Sequence, residues 1–215
     1  MAERHSNVAH QFENAEQQRE ASTLGMWAFL VTEIMFFGGL FAGFLVYVVG
    51  HAPAFAEGSK HLDLTLGTVN TVVLLGSSLT MALAVRNSQL GRRNGQALFL
   101  VLTIALGLVF LGIKGVEYAH KFEQHLVPGA QFRMEGPHAQ SAQLFFSFYF
   151  AMTGVHALHM IVGVGLLSWL LVNVWRGKYS EVYFTPVEVS GLYWHFVDVV
   201  WIFLFPTLYL VARHA

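Results

Sequence analysis

Cysteine is absent from all 215 residues. That excludes disulfides, thiolate-held iron–sulfur clusters and a binuclear copper centre built on cysteines, so any metal would need His, Met or carboxylate ligands. Charge is scarce as well. Asp, Glu, Lys and Arg make up 12% of the chain, where a soluble domain carries roughly a quarter. The charges present nearly cancel, 12 basic against 13 acidic, which argues against a nucleic-acid partner. No solenoid-length repeat and no low-complexity tract is visible. The polar start, MAERHSNVAHQFENAEQQREAST, lacks the basic end, short apolar core and cleavage site of a signal peptide, and is expected to be retained.

What is present is apolar. Hydrophobic residues make up 55% of the chain and the mean hydropathy is +0.52. Aromatics are plentiful, with 19 Phe, 7 Tyr and 5 Trp, as suits lipid-facing and interfacial surfaces. This balance is stable only in a solvent other than water, so the chain reads as a membrane protein. Five apolar stretches, about Leu24–Val49, Leu64–Val85, Gln96–Tyr118, Ala142–Trp175 and Val189–Val211, are each near or above the roughly 20 residues that cross about 30 Å of hydrocarbon. In lipid each must satisfy its own backbone, so each is a helix. The predicted fold is therefore all-α: a polytopic bundle of five transmembrane helices over 24–213, preceded by a polar tail over 1–23 that is helical near Glu13 to Glu20. The fourth stretch is too long for one perpendicular span, so it tilts or its Gln140–Phe148 end rises above the bilayer.

Arg86, Arg92 and Arg93 lie between spans two and three, and Arg176 and Lys178 between spans four and five. By the positive-inside rule both loops are cytoplasmic, which places the N-terminus in the cytoplasm and the C-terminus outside. The outer segments HAPAFAEGSKH and HKFEQHLVPGAQFRMEGPHAQ read as loops, the second long enough to cover a partner.

A few polar groups lie within the spans. Glu33 has no base within four residues and must be neutral or face a protein neighbour or water. It reads as a proton-binding or relay carboxyl, or as a hydrogen bond across a helix interface. Gly39 and Gly43 in the adjoining GGLFAG suit close helix contact. Lys114 and Glu117 are three apart and form a local ion pair that snorkels to the interface. His156 and His159 share a face, and with His195 and Asp198 a four-ligand metal site is geometrically imaginable. The plainer reading, which is preferred, has each histidine fixing helix packing through a hydrogen bond. Glu188, His195 and Asp198 share one face of the last span, flanked by Trp194 and Trp201. A His195–Asp198 pair would hold one imidazole tautomer and could pass a proton.

Five stretches, in order and each on its own span, resemble one family: GMWAFLVTEIMFFGGLFAGF, TVNTVVLLGSSLTMALA, GQALFLVLTIALGLVFLGIKGVEYAH, SFYFAMTGVHALHMIVGVGLL and GLYWHFVDVVWIFLFPTLYL. The chain resembles subunit III of the haem–copper respiratory oxidases. The resemblance implies an accessory, non-catalytic subunit of an oxygen-reducing, proton-pumping complex. Such a subunit packs on subunit I, shares the complex with subunit II, holds lipid and sustains proton uptake. Haem and copper are then expected in the partner subunits and none in this chain. The family's carbodiimide-reactive carboxyl maps onto Glu33, and its buried polar set onto Glu117, His156, His159, His195 and Asp198, none a metal ligand. Longer members have two further helices before the span with the Glu. This chain resembles the five-helix form, so no lipid-binding residue is carried over, although bound phospholipid is compatible with it.

The implied location is the bacterial cytoplasmic membrane, rather than the mitochondrial inner membrane. Cytochrome c oxidase is the leading type, with a quinol oxidase or a nitric oxide reductase relative as the alternative. An independent redox enzyme would need more histidines than these three. A small proton-coupled transporter using Glu33 is disfavoured by five spans without internal repeat.

Overall fold

A computed structural model describes residues 11–129, 132–134, 139–179 and 183–210. It contains five long apolar helices and one short one: α1 (Ala15–Gly50), α2 (Ala52–Lys60), α3 (Leu64–Gln89), α4 (Arg93–Glu123), α5 (Ala139–Trp175) and α6 (Thr185–Tyr209). All but α2 are long and apolar enough to cross a membrane. The described residues are all-α and polytopic, as the apolar runs require. Val211, at the end of the fifth predicted span, lies outside the described residues.

The first helix starts well before its apolar run. Asn14 caps it, its side-chain oxygen accepting from Gln17 N at 2.8 Å, and Gln17 Oε1 reciprocally accepts from Glu13 N at 2.8 Å. The pair satisfies the Gln17 N–H, one of the donors that a helix start leaves open, and the Glu13 N–H just before the cap. At 1.5 Å per residue the 36 residues of α1 span about 54 Å, longer than the hydrocarbon layer, so a polar end projects from it.

The segment between the first two spans is not the loop its composition suggests. Residues Ala52–Lys60 form α2, with Pro at its start, where the missing N–H costs nothing. Phe55 of α2 is fully buried, edge-on to Phe44 of α1 and to Phe145 of α5 at 5.3 and 5.6 Å. Gly58 lies so close to Phe145 that a Cβ there would be 2.5 Å from the ring. The N-terminal end of α5, too long for its span, is thus occupied in packing under α2. In the segment between α4 and α5, the Phe132 ring lies tilted against that of Phe146 and Leu126 is buried. Residues 130–131 and 135–138 of that segment lie outside the described residues.

Helices α3 and α4 form the most extensive pair. Their buried positions run 67, 70, 74, 77, 81, 84, 88 and 96, 100, 103, 107, 110, 114, 117, 121. Alternating steps of three and four are the repeat of left-handed knobs-into-holes packing. The turn between them is a Schellman motif. Gly91 takes φ 63°, its N–H bonds Ser88 O, and Arg92 N–H bonds Asn87 O at 2.9 Å.

Two tryptophans of α6, seven residues apart, fill the middle of the α3–α6 bundle, and both are fully buried. The Trp194 ring lies against Gly107 of α4 and Gly163 of α5, where an added Cβ would be 2.8 and 2.9 Å from it. Its Nε1 donates to Ser77 Oγ of α3 at 2.8 Å. Trp201 meets Phe110 of α4 edge-on at 4.9 Å and donates to Thr71 Oγ1 of α3 at 3.1 Å. Glycine therefore sits where an indole must fit, and each indole N–H finds a hydroxyl.

Helix α1 is the outlying element. Among the described residues it packs on α6, α2 and α5 only. It buries Leu30, Phe37 and Phe44 at seven-residue intervals, while Leu24, Met35, Val46 and Val49 are more than two-thirds exposed. In lipid such exposure carries no penalty.

Candidate functional site

The polar residues singled out within the spans fall into three separate clusters. The first joins two residues on different helices. Glu33 of α1 pairs with His159 of α5, Oε2 to Nε2 at 3.1 Å, and both side chains are about four-fifths buried. The other ring nitrogen, Nδ1, lies 2.9 Å from Val155 O. A carbonyl only accepts, so Nδ1 carries a hydrogen. Nε2 and the carboxyl are then left sharing one proton: either the carboxyl O–H donates to a neutral imidazole, or an imidazolium donates to a carboxylate. In both forms the pair is electrically neutral overall, which lowers its cost near lipid. Phe37 covers the imidazole edge-on at 5.3 Å, and Tyr193 donates to His159 O at 2.9 Å. The interface expectation for GGLFAG holds at Gly43, where an added Cβ would be 3.5 Å from the Phe148 ring. A Cβ added at Gly39 would meet nothing within 4 Å among the described residues beyond its own helix backbone.

The second cluster is buried deeper than its sequence suggests. Lys114 and Glu117 pair at 2.9 Å, yet their side chains are 5% and 2% exposed. The pair does not snorkel, because positions 114 and 117 continue the buried repeat of α4 and point into the bundle. Tyr209 donates to Glu117 Oε1 at 2.6 Å, and Lys114 Nζ donates to Tyr209 Oη at 2.9 Å and Tyr149 Oη at 3.3 Å. The ammonium also lies 5.1–5.6 Å from the rings of Tyr118, Tyr149, Trp201 and Tyr209. A buried ion pair persists when its remaining donors and acceptors are met, and here two phenols and four ring faces meet them.

The third cluster is on α6. His195 Nδ1 lies 2.8 Å from Ser78 Oγ of α3, so a His195–Asp198 pair does not form. Ser78 also lies beside Asp198, but neither Asp198 oxygen has a hydrogen-bond partner among the described residues. Glu188, on the same face, binds Arg19 of α1 at 3.2 Å and accepts from Gln89 at 3.1 Å.

The imagined four-ligand constellation does not assemble. His159 faces Glu33, His195 faces Ser78, and His156 is sandwiched by Phe110 and Trp201 at 5.5 and 5.3 Å with both ring nitrogens unbonded. Among the described residues no three His, Asp or Glu side chains come together as a metal-holding group. The resemblance did not point to Ser77, Ser78, Thr103, Tyr149 or Tyr209. For Ser77 and Thr103 the available signal was phase, since both occur in the same three–four register as Asn70, Lys114 and Glu117.

The family model for cytochrome c oxidase subunit III matches residues 5–213. The chain belongs to the cytochrome c oxidase subunit III family. It is 34% identical to a cytochrome c oxidase subunit 3 of Corynebacterium diphtheriae over 88% of this chain and 87% of that one. Identity to a cytochrome c oxidase subunit 3 of Thermostichus vulcanus is 32%, over 94% and 92%. A quinol oxidase subunit 3 of Bacillus subtilis is 30% identical, over 97% and 96%. As a haem–copper oxidase subunit III the chain is a multi-pass membrane protein and works within an oxidoreductase complex beside other oxidase subunits.

Proposed function

We propose that this subunit III is an accessory, non-catalytic part of a terminal oxidase of the cytochrome c type, packed on subunit I, with subunit II in the same complex. The observation that carries this reading is the dispersal of its histidines. His156, His159 and His195 each face a different environment, which supports haem and copper being held by the partner subunits and not here. A quinol oxidase is the second reading, favoured by the 30% identity to the Bacillus subtilis protein across 97% of the chain. The membrane is the bacterial cytoplasmic one, with the N-terminus inside and the C-terminus outside, on the strength of the arginines at the α3–α4 and α5–α6 turns.

Glu33 is the proton-linked carboxyl, and its pairing with His159 gives that role a physical form: a single proton held between two groups at the edge of the bundle. Glu117, His156, His195 and Asp198 belong to the buried polar structure. The exposed apolar side of α1 is where phospholipid chains lie.

The test is proton uptake by the purified complex with Glu33→Gln and His159→Gln. Both variants are expected to assemble and to start turnover at the normal rate, then to slow under sustained turnover at high pH, where protons are scarce. Proton uptake identical to that of the unmodified complex across pH would refute the role.

A further inference from the structure

A cleft of about 400 Å3 opens between α1, α3 and the N-terminal half of α6, and is lined by Arg19, Thr23, Ala82, Val85, Glu188 and His195 among others. At its polar end Arg19 and Glu188 are paired at 3.2 Å. His195 is two helical turns further along α6, about 10 Å deeper. There the polar path continues into the bundle. His195 Nδ1 is 2.8 Å from Ser78 Oγ, and Ser78 lies beside Asp198. Asp198 is 3% exposed, and neither of its oxygens is hydrogen-bonded among the described residues.

An ionised carboxylate in that position would have no cation beside it, and the one hydroxyl near it, that of Ser78, lies against His195 Nδ1. The charged groups of the surrounding helices are engaged elsewhere. Arg19 of α1 is held by Glu188, Glu33 of α1 by His159 of α5, and Lys114 of α4 by Glu117. His156 of α5 lies between Phe110 and Trp201, and the charges of α2 lie at the opposite end of α6. From α3 the facing group is the neutral Ser78. A bound proton removes the charge, and among the described residues the Ser78–His195 contact leads from Asp198 to the cleft.

We propose that Asp198, Ser78 and His195 form a proton-exchange file, with Asp198 as its buried store and water in the cleft as its source. In release, the Asp198 proton passes to Ser78 Oγ as the Ser78 proton passes to His195 Nδ1. The imidazolium so formed gives its Nε2 proton to water in the cleft. Uptake is the reverse, so each cycle leaves Ser78 and His195 unchanged and moves one proton. The cleft is large enough for several waters, and the Arg19–Glu188 pair marks its mouth. The inference concerns this chain's own residues and does not rest on the role proposed for Glu33.

The experiment is infrared spectroscopy of the intact oxidase complex, with and without Asp198→Asn, in H2O and after transfer to D2O. The expected difference spectrum contains a protonated-carboxyl C=O band that Asp198→Asn removes and that shifts on deuteration. Ser78→Ala is expected to keep the band and to slow its exchange at least tenfold. Asp198→Glu, which keeps the carboxyl, moves the band and serves where Asp198→Asn does not assemble. A carboxylate band in place of the protonated one would overturn the proposal. So would a band that never exchanges, or one that exchanges as fast in Ser78→Ala as in the unmodified complex.

Discussion

Residue 117 shows how much a single side chain depends on its neighbours in a membrane bundle. Removing one partner of a buried pair leaves a charge without compensation, at about 3–5 kcal/mol, whereas replacing both by apolar groups is close to neutral. Lys114→Met alone is therefore expected to lower the heat-denaturation midpoint of the complex sharply, and Lys114→Met with Glu117→Leu to recover most of the loss. A double variant no better than the single one would show that the Tyr149 and Tyr209 contacts need the ions themselves. Asp198 behaves differently. A His195–Asp198 pair would make Asp198→Leu strand His195 and weaken assembly. Since His195 is bonded to Ser78 and neither Asp198 oxygen is hydrogen-bonded among the described residues, Asp198→Leu should give a normal yield of complex; a collapsed yield would show a partner not apparent in this chain. At this scale the sequence shows which polar residues lie within the spans, because apolar surroundings make Glu33, Glu117, His156, His159, His195 and Asp198 conspicuous. It does not show which helices face each other, so the Glu33–His159 contact, 126 positions apart, was not legible. Nor was the loss of the adjacent His195–Asp198 pairing to a serine on another helix.

The five spans were legible as elements because length and apolarity alone require helices in hydrocarbon, and no tertiary contact can override that requirement. The short helix α2 was not. Nine residues with Pro, Gly and mixed charge have loop composition, and only the burial of Phe55 against Phe44 and Phe145 makes them helical. Helix ends follow local chemistry more closely. Gly91 and Gly177, at φ 63° and 72°, close α3 and α5 with Schellman bonds, and His125 does the same for α4 at φ 52°. A side chain in this left-handed region costs about 1–2 kcal/mol. Gly91→Ala and Gly177→Ala should each lower stability by about that amount, while His125→Gly should hold or raise it by up to about 1 kcal/mol. Heat denaturation of the complex reads all three, and a destabilised His125→Gly would mean the imidazole makes a contact worth more than the strain. Gly107 and Gly163 answer to a different cause, the close approach of Trp194. Valine at either position should displace the indole from Ser77 and disturb the bundle more than Gly39→Val, since a Cβ at Gly39 would meet no side chain within 4 Å among the described residues.

For the whole molecule, a bundle that packs its in-span polar groups beside an aromatic core and leaves many apolar side chains exposed, on α1 above all, is suited to lipid. The absence of cysteine makes its topology directly measurable. Single cysteines introduced at Lys60 and at Arg92 should react with a membrane-impermeant maleimide from opposite sides, Lys60→Cys from outside intact cells and Arg92→Cys only after lysis. The reverse pattern would invert the proposed orientation. The central claim is that this subunit belongs to an oxygen-reducing complex while holding none of its redox centres. It is tested most directly by purifying the chain through a C-terminal tag in mild detergent and recording a reduced-minus-oxidised spectrum before and after it is stripped from its partners. Haem bands are expected to travel with larger co-purifying subunits and to be absent from the isolated chain. Haem or stoichiometric metal retained by the isolated chain would contradict it.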